Sequence, residues 1–280
     1  NKNVHFDYDA LAKISNQEEA TGLLSAVYPE TSQSQDIYTN KKQKPFSVNQ
    51  NINYYYTLND KNVFAFEAQH LYQQEDPFYT ASLQNNPFPG GGSGGTSSLS
   101  LGLYPVTGRY NLQQNRFVTT NKLDAKADYY YMVTPKSNIN ITIGDTYSYQ
   151  NFNSGIFQIL DNGTSTDLGE AAKNKVNYTF NDAFVGMHYK FITGKFTFNP
   201  GVSFHSYTSF NEQLGTKVDN NFYRLLPDIY ALYQMKKAER LVYNYSMTTN
   251  FTDVANFAQG LILNNYNSLF RGNRNLENAL

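Results

Sequence analysis

One stretch of the chain, residues 46–58, alternates apolar and polar side chains along its whole length. Its even positions are apolar apart from Gln50, and its odd positions are Ser, Asn or Thr apart from Tyr55. Successive side chains of a strand point to opposite faces, so the stretch predicts a strand with one apolar face and one amide-lined face. Strands of globular proteins are usually about 5–6 residues long, whereas a tilted transmembrane strand needs roughly 9–11. A long strand of this kind is the repeating unit of a transmembrane β-barrel.

Eight further stretches alternate in the same way: residues 4–12, 63–74, 117–133, 139–149, 178–191, 196–207, 222–234 and 241–247. Short connections near Asn59, Pro135, Gly194 and Lys237 are interleaved with longer ones. Outer-membrane barrels have short periplasmic turns and longer extracellular loops. The chain therefore predicts an all-β fold, an antiparallel transmembrane β-barrel with long extracellular loops. Pro227 lacks an amide donor and predicts a bulge in its strand.

Some segments between and after these strands show other patterns. Ser15 and Glu18 form a capping-box pattern and precede apolar residues at helical spacing, which predicts a short helix through Ala20, Leu23, Leu24 and Val27. A second helical pattern runs through Val254, Phe257, Ala258 and Leu261. The glycines of 90–95 lack the Lys-Ser/Thr of a phosphate loop, so we expect a flexible loop.

The number of strands decides what kind of barrel is expected. A tenth strand is predicted to begin near Asn273, too close to Leu280 to be completed within these residues. Bacterial single-chain barrels have even strand numbers, so nine strands and the start of a tenth are not expected to close. Unpaired strand edges in lipid cost several kcal/mol for each backbone group. We therefore expect residues 1–280 to be part of one larger barrel domain.

The charge balance excludes one class of partner. With 22 Lys and Arg against 23 Asp and Glu, the chain has a net charge of −1 and no basic block, so no nucleic-acid footprint is present. Charged residues make up 16% of the chain, below the roughly 25% of soluble domains. Aromatic residues also reach 16%, as Tyr and Phe, which suit a membrane interface.

Signals for enzyme or metal chemistry are weak. His5, His70, His188 and His205 stand apart with no metal-pair spacing, and the chain has no Cys. Ser246 lacks the glycines of a nucleophile elbow, and the acidic run 161–170 lacks the spacing of a calcium loop. We predict neither an enzyme nor a cofactor.

The alternate positions of each strand that carry polar side chains supply the candidate site residues. If Val48, Ile52, Ile141 and Val185 face lipid, the opposite parity faces a lumen or a plug domain. The alternating charges could contact a polar solute or a plug, or could neutralise one another. The candidate lumen- or plug-facing residues are Asn49, Asn51, Asn53, Lys122, Asp124, Lys126, Asp128, Asn244 and Ser246.

Several motifs resemble those of a known family. They are residues 226–228 (LPD), residues 243–246 (YNYS) and residues 270–277 (FRGNRNLE), with similar patterning in 54–74 and 188–195. Together they resemble the barrel of TonB-dependent receptors, within a Bacteroidota-type outer-membrane β-barrel family. The resemblance implies a 22-stranded barrel, an N-terminal plug, and TonB-driven import of a scarce nutrient. The plug, the TonB-contacting segment and the final strands have no counterpart in these residues.

The resulting expectation is a transport or receptor barrel in the bacterial outer membrane. Its implied partners are the lipid bilayer, its own plug domain, TonB, and a surface lipoprotein or other outer-membrane subunits. Two alternatives stay open. One is a complete barrel of about ten strands with a surface-binding or structural role, and the other is a soluble all-β carbohydrate-binding module.

Overall fold

The computed structural model describes residues 3–25, 35–88, 101–249 and 252–276. These residues form fifteen strands: β1 Val4–Ile14, β2 Gln17–Ser25, β3 Gln35–Gln43, β4 Phe46–Asn59, β5 Asn62–Glu75, β6 Phe78–Leu83, β7 Tyr110–Thr134, β8 Ser137–Ile159, β9 Ser165–Asp167, β10 Lys173–Thr193, β11 Phe196–Gln213, β12 Thr216–Lys236, β13 Glu239–Ser246, β14 Ile262–Asn265 and β15 Ser268–Phe270. Two 3₁₀ turns cover Glu170–Ala172 and Val254–Phe257. No helix in the described residues is long and apolar enough to cross a membrane.

The main sheet contains thirteen of these strands, and its pairs are antiparallel. Its principal path runs β1-β4-β5-β7-β8-β10-β11-β12-β13, and β2, β3, β6 and β9 extend it from the side. These nine path strands are the nine predicted from alternation, so the all-β antiparallel class is confirmed. Strands β14 and β15 form a separate hairpin.

Most path strands are longer than predicted, and they extend on the side of the longer connections. β7 has 25 residues and β8 has 23. The expected gap over 208–221 is instead a tight turn at Leu214 and Gly215, whose φ angles of 51° and 69° are both positive. Two successive positive φ angles suit the right-handed twist of a hairpin, so the ladder continues to the turn.

The helix predicted after Ser15 is wrong. Residues 17–25 form β2, which pairs with β3. Glu18, the residue expected to cap a helix, instead accepts a hydrogen bond from Asn40 at 2.8 Å and pairs with Lys42 at 3.0 Å. Cross-strand partners therefore override the local helical spacing; Val27 lies outside the described residues.

The bulge predicted at Pro227 is also wrong. The β11–β12 register runs through Val202 and Pro227 without a shift. The Pro227 carbonyl accepts the Met247 amide at 3.3 Å, just beyond the end of the β12–β13 ladder at Asp228 and Ser246. Pro227 therefore sits where β12 becomes an edge strand, a position that proline tolerates.

The second predicted helix is only one 3₁₀ turn. Asp253 caps it by accepting the Ala255 amide at 2.7 Å, and Val254, Phe257, Ala258 and Leu261 are all buried. Residues 271–276 contain no strand, so the tenth strand predicted from Asn273 is absent from the described residues. The glycines of 90–95 lie outside them.

The cross-strand register gives the main sheet two unlike faces. One row across eight strands consists of Phe6, Tyr54, Phe66, Ala127, Ile143, Val185, Phe204 and Leu225. We call this row and its neighbouring apolar rows the apolar belt. The opposite side, the polar face, carries the amide and charged side chains.

The buried core lies on the polar-face side at the end of the longer connections. There the face becomes apolar, with Leu112, Phe152, Ile156, Val176 and Tyr207. Residues 252–276, the covering segment, pack against this region through Val254, Phe257 and Ile262. The apolar belt is thus left exposed, and the buried core lies on the opposite face of the sheet.

Candidate functional site

All nine predicted site residues lie on the polar face. The register pairs Asn51 with Gln69 and Gln69 with Asp124, and it pairs Asn53 with Glu67 and Glu67 with Lys126. Directly paired residues of a sheet project from the same face. The arrangement brings the asparagines of β4 and the charged residues of β7 together across β5.

Two lysines and three carboxylates of β5 and β7 form a network of ion pairs, which we call the charge ladder. Lys126 Nζ lies 3.0 Å from Glu67 Oε2 and 3.8 Å from Asp128 Oδ2. Lys122 Nζ lies 2.9 Å from Asp124 Oδ2. Half-exposed pairs of this kind add little stability, but they leave each lysine with a carboxylate partner.

The carboxylates of the ladder are also held by uncharged neighbours on β8. Asp128 is buried and accepts hydrogen bonds from Asn140 Nδ2 at 3.2 Å and Thr142 Oγ1 at 2.5 Å. Thr146 Oγ1 donates to Asp124 at 2.6 Å. A buried carboxylate with charged and neutral donors is satisfied and fixed in orientation.

Amide side chains of β4 and β5 lie beside the ladder. Gln69 Nε2 donates to Asn49 Oδ1 at 3.2 Å. Asn51 and Asn53 line a cavity of about 330 Å³ beside the ladder. Asn244 and Ser246 share the polar face but lie on exposed β13, at the far end of the strand order, so the structure does not bring them to the ladder.

Three buried side-chain amides hold the covering segment by its main chain. Gln114 accepts the Leu263 amide at 2.6 Å and donates to the Leu263 carbonyl at 2.8 Å. Asn174 accepts the Gly260 amide at 2.7 Å and donates to the Leu261 carbonyl at 3.4 Å. In each case one side chain reproduces the paired bonds of a strand neighbour, so the buried backbone is satisfied without a ladder.

The third amide, Gln213, accepts the Gln259 amide at 3.1 Å and donates to the Phe257 carbonyl at 2.8 Å. Gln158 holds a different stretch, residues 101–108, in the same way. It accepts the Tyr104 amide at 2.8 Å and donates to the Tyr104 carbonyl at 2.9 Å. The polar face thus binds two stretches of backbone at its long-connection end.

A cleft of about 520 Å³ lies between the covering segment and the sheet. Thr120, Ser148 and Gln150 are among its lining residues on the sheet, and residues 252–254 line it from the covering segment. Its volume falls within the range of small-molecule sites. Hydroxyl and amide groups can bind a polar solute there by hydrogen bonds.

Two histidine–aspartate pairs on this face are not apparent from the sequence. His205 Nδ1 lies 2.8 Å from Asp182 Oδ1, and His188 Nε2 lies 3.0 Å from Asp228 Oδ2. Counting outward from the turn at Gly194 pairs Phe184 with His205, which leaves Asp182 one diagonal step away. That count is the signal that finds the first pair.

Ser203 extends the first pair into a Ser–His–Asp chain, because its Oγ lies 2.9 Å from His205 Nε2. A hydrolase also needs donors for the developing oxyanion. Residues 201–206 of β11 are paired with β10 on one side and β12 on the other, so their backbone amides are used in the hydrogen bonds of the sheet. The His205 ring stacks between Phe184 and Tyr207 at centroid distances of 4.9 and 5.4 Å. We interpret the chain of hydrogen bonds as structural.

Within the described parts of the chain, no group of three or more His, Asp or Glu side chains is placed to hold a metal ion. The fold and the site define an all-β protein with an exposed apolar belt and a polar face that carries ion pairs. No family model matches the chain, and no curated protein matches it.

A solved structure similar to the chain is that of the ferric citrate transporter FecA in its unliganded form. The similarity covers 84% of this chain and 42% of that transporter, with 11% identity and a TM-score of 0.38. The chain thus spans less than half of the transporter's length. A similarity this distant carries no argument about activity, substrate or partners.

Proposed function

We propose that the chain is part of a transport barrel in the bacterial outer membrane. The apolar belt carries this proposal. Ile143 and Leu225 in its central row are 63% and 64% exposed, and their row neighbours are also apolar. A contiguous apolar surface of this extent marks a face that meets another apolar phase.

The borders of the belt fit an orientation in lipid. Tyr131 and Tyr189 lie toward the tight turns, and Tyr147 and Tyr149 lie toward the longer connections. Tyrosine rings favour the two membrane–water interfaces. Asp145 borders the belt on the long-connection side, where it accepts a hydrogen bond from Asn181 at 2.8 Å.

The end strands of the path support a larger barrel. In the described residues β1 pairs only with β4, and β13 pairs only with β12. A spanning sheet must close, because unpaired backbone groups in lipid are costly. We propose that further strands complete the barrel, up to the 22 implied by the family resemblance. This arrangement favours a larger barrel over a ten-stranded one, and the exposed belt disfavours a soluble carbohydrate-binding module.

In this proposal the polar face lines the lumen and contacts a plug domain. A lumen must be wide to hold a plug, and barrel diameter grows with strand number. Asn49, Asn51, Asn53 and the charge ladder would bind the plug in the resting state. Solute enters from the long-connection side, where a surface lipoprotein or another outer-membrane subunit would also bind.

The test uses the full-length protein in its native cells. Accumulation of candidate nutrients is measured with and without TonB, and with and without the gene for this barrel. Uptake that requires both supports a TonB-dependent transporter. Unchanged uptake without TonB removes TonB coupling, and recovery of the protein in a soluble fraction removes the membrane barrel itself.

A further inference from the structure

A second cavity contains an arginine that has no ion-pair partner among the described residues. Its volume is about 360 Å³, and its lining includes Tyr178, Ser209, Phe222, Arg224 and Phe257. Small-molecule sites begin at about this size. The cavity has no lining residue in common with the charge ladder and shares only Tyr178 with the cleft.

Arg224 differs from the lysines of the charge ladder. Lys122 and Lys126 each have a carboxylate partner, whereas no carboxylate in the described residues lies within ion-pair distance of Arg224. Its Nη1 donates to the Tyr223 carbonyl at 3.0 Å, and its Nε is buried with no acceptor in the described part of the chain. A guanidinium fork with unused donors is a ready partner for a carboxylate or a phosphate.

Aromatic rings orient the fork and form a wall of the cavity. The Arg224 guanidinium carbon lies 5.0 Å from the centroid of the Phe222 ring. Tyr178 stacks on Phe257 of the covering segment at a centroid distance of 4.7 Å. Such rings favour a ligand with a flat apolar body, which stacks or packs edge-on.

Only one acidic residue is among the described residues that line the cavity, and it is distant from Arg224. Asp219 also borders it, but Asp219 and Arg224 are five residues apart on β12. At about 3.3 Å per residue, their Cα atoms are separated by roughly 16 Å. Asp219 therefore leaves the charge of Arg224 available to a ligand.

We propose that this cavity binds a small organic anion in which a carboxylate or phosphate is attached to a planar ring. Arg224 binds the anionic group, Tyr178, Phe222 and Phe257 contact the ring, and Ser209 supplies a hydroxyl. The site lies on β10, β11, β12 and the covering segment, and binding there requires no transport activity.

The experiment measures binding of benzoate to the full-length protein, purified in detergent, by ligand-observed NMR titration. Benzamide has the same shape without the charge, and it should bind at least about tenfold more weakly. Arg224→Gln should weaken benzoate binding to a similar degree, and Arg224→Lys should weaken it less. Arg240→Gln, which changes an exposed arginine of β13, is the matched control and should bind as the parent does.

Three outcomes overturn the proposal. The first is equal affinity for benzoate and benzamide. The second is unchanged benzoate binding in Arg224→Gln when its heat-modifiable gel mobility is that of the parent. The third is tighter benzoate binding in Glu277→Gln, which would assign the Arg224 charge to the chain's own carboxylate.

Discussion

At the scale of single residues, Gly260 decides whether the covering segment can reach the polar face. Its amide donates to Asn174, and a Cβ atom built on it would collide with the backbone carbonyl oxygen of Lys173. That oxygen belongs to β10 and cannot rotate away as a flexible side chain could. The position therefore requires glycine because of space, and its φ angle plays no part.

We expect Gly260→Ala to displace the covering segment at a cost of about 1–3 kcal/mol, the usual range for overpacking. Limited proteolysis should then cleave residues 252–276 faster than in the parent, while the hairpins of the main sheet remain resistant. Gly102→Ala is the matched control, because a Cβ there meets nothing within 4 Å. Equal cleavage rates in the two variants would contradict the close packing at Gly260.

Asp161 holds the 101–108 stretch at a second point. Its carboxylate accepts the Thr107 amide at 2.7 Å, the Thr107 hydroxyl at 2.8 Å and the Gly108 amide at 3.2 Å. The Thr107 amide is the largest cause that lowers the pKa of Asp161 below its ordinary value of 3.8. The stabilisation is therefore complete above that value and is lost as the pH falls through the lowered pKa.

Acidification below about pH 4 should loosen residues 107 and 108 without disturbing the neutral Gln158–Tyr104 bonds. Hydrogen exchange of the Thr107 and Gly108 amides, corrected for intrinsic pH dependence, measures this change. Asp161→Asn removes the charge and should show the loosened state already at neutral pH. A variant with parental protection at neutral pH would show that the carboxylate charge does not hold the loop.

At the scale of elements, β4 presents neighbouring residues to opposite environments. Ile52 lies on the apolar side between Tyr8 and Ala68, and Asn51 lies on the polar face beside Gln69. We expect Ile52→Arg to cost about 2–4 kcal/mol in a membrane-embedded sheet. Asn51→Arg should be tolerated, because Glu67 and Asp124 line the same cavity as Asn51. Equal assembly of both variants, seen as heat-modifiable gel mobility, would refute the assignment of the two faces.

The path strands could be predicted from the sequence because a period of two is local information. Each of the nine required only its own alternation and the turn that follows it. β2 could not be predicted in this way. Its helical spacing is local information, whereas the ion pair of Glu18 with Lys42 of β3 joins residues that are distant in the chain. The parts of β7 and β8 next to the longer connections are not predicted from alternation for a related reason. There the polar face carries buried apolar side chains such as Leu112 and Phe152, so polar and apolar residues no longer alternate.

The site was predictable to the same extent. Parity placed the charge ladder on one face, because parity within a strand fixes the side of every residue. It could not reveal that Asp182 meets His205, or that Gln114 meets Leu263, since these contacts need the register between elements. The position of Arg224 beside Tyr178 and Phe257 likewise depends on contacts between elements.

At the scale of the whole molecule, stability comes from different sources at the two ends of the sheet. The long-connection end has its own buried core under the covering segment. The end of the tight turns has no such core in the described residues, and its apolar belt is exposed. In the proposed membrane setting lipid covers the belt. The apolar belt is then stabilised by lipid, whereas the core at the long-connection end is stabilised by the covering segment.

The hydrogen bonds between Gln114 and Leu263 also bear on the order in which the protein folds. They join residues 149 positions apart, whereas each hairpin of the main sheet joins neighbours in the chain. Contacts between near neighbours form early, and distant ones wait for the intervening chain. The covering segment has no surface to bind until β7, β8, β10 and β11 stand side by side. Its docking therefore requires these four strands to be paired, and a molecule in which it is docked has already assembled them.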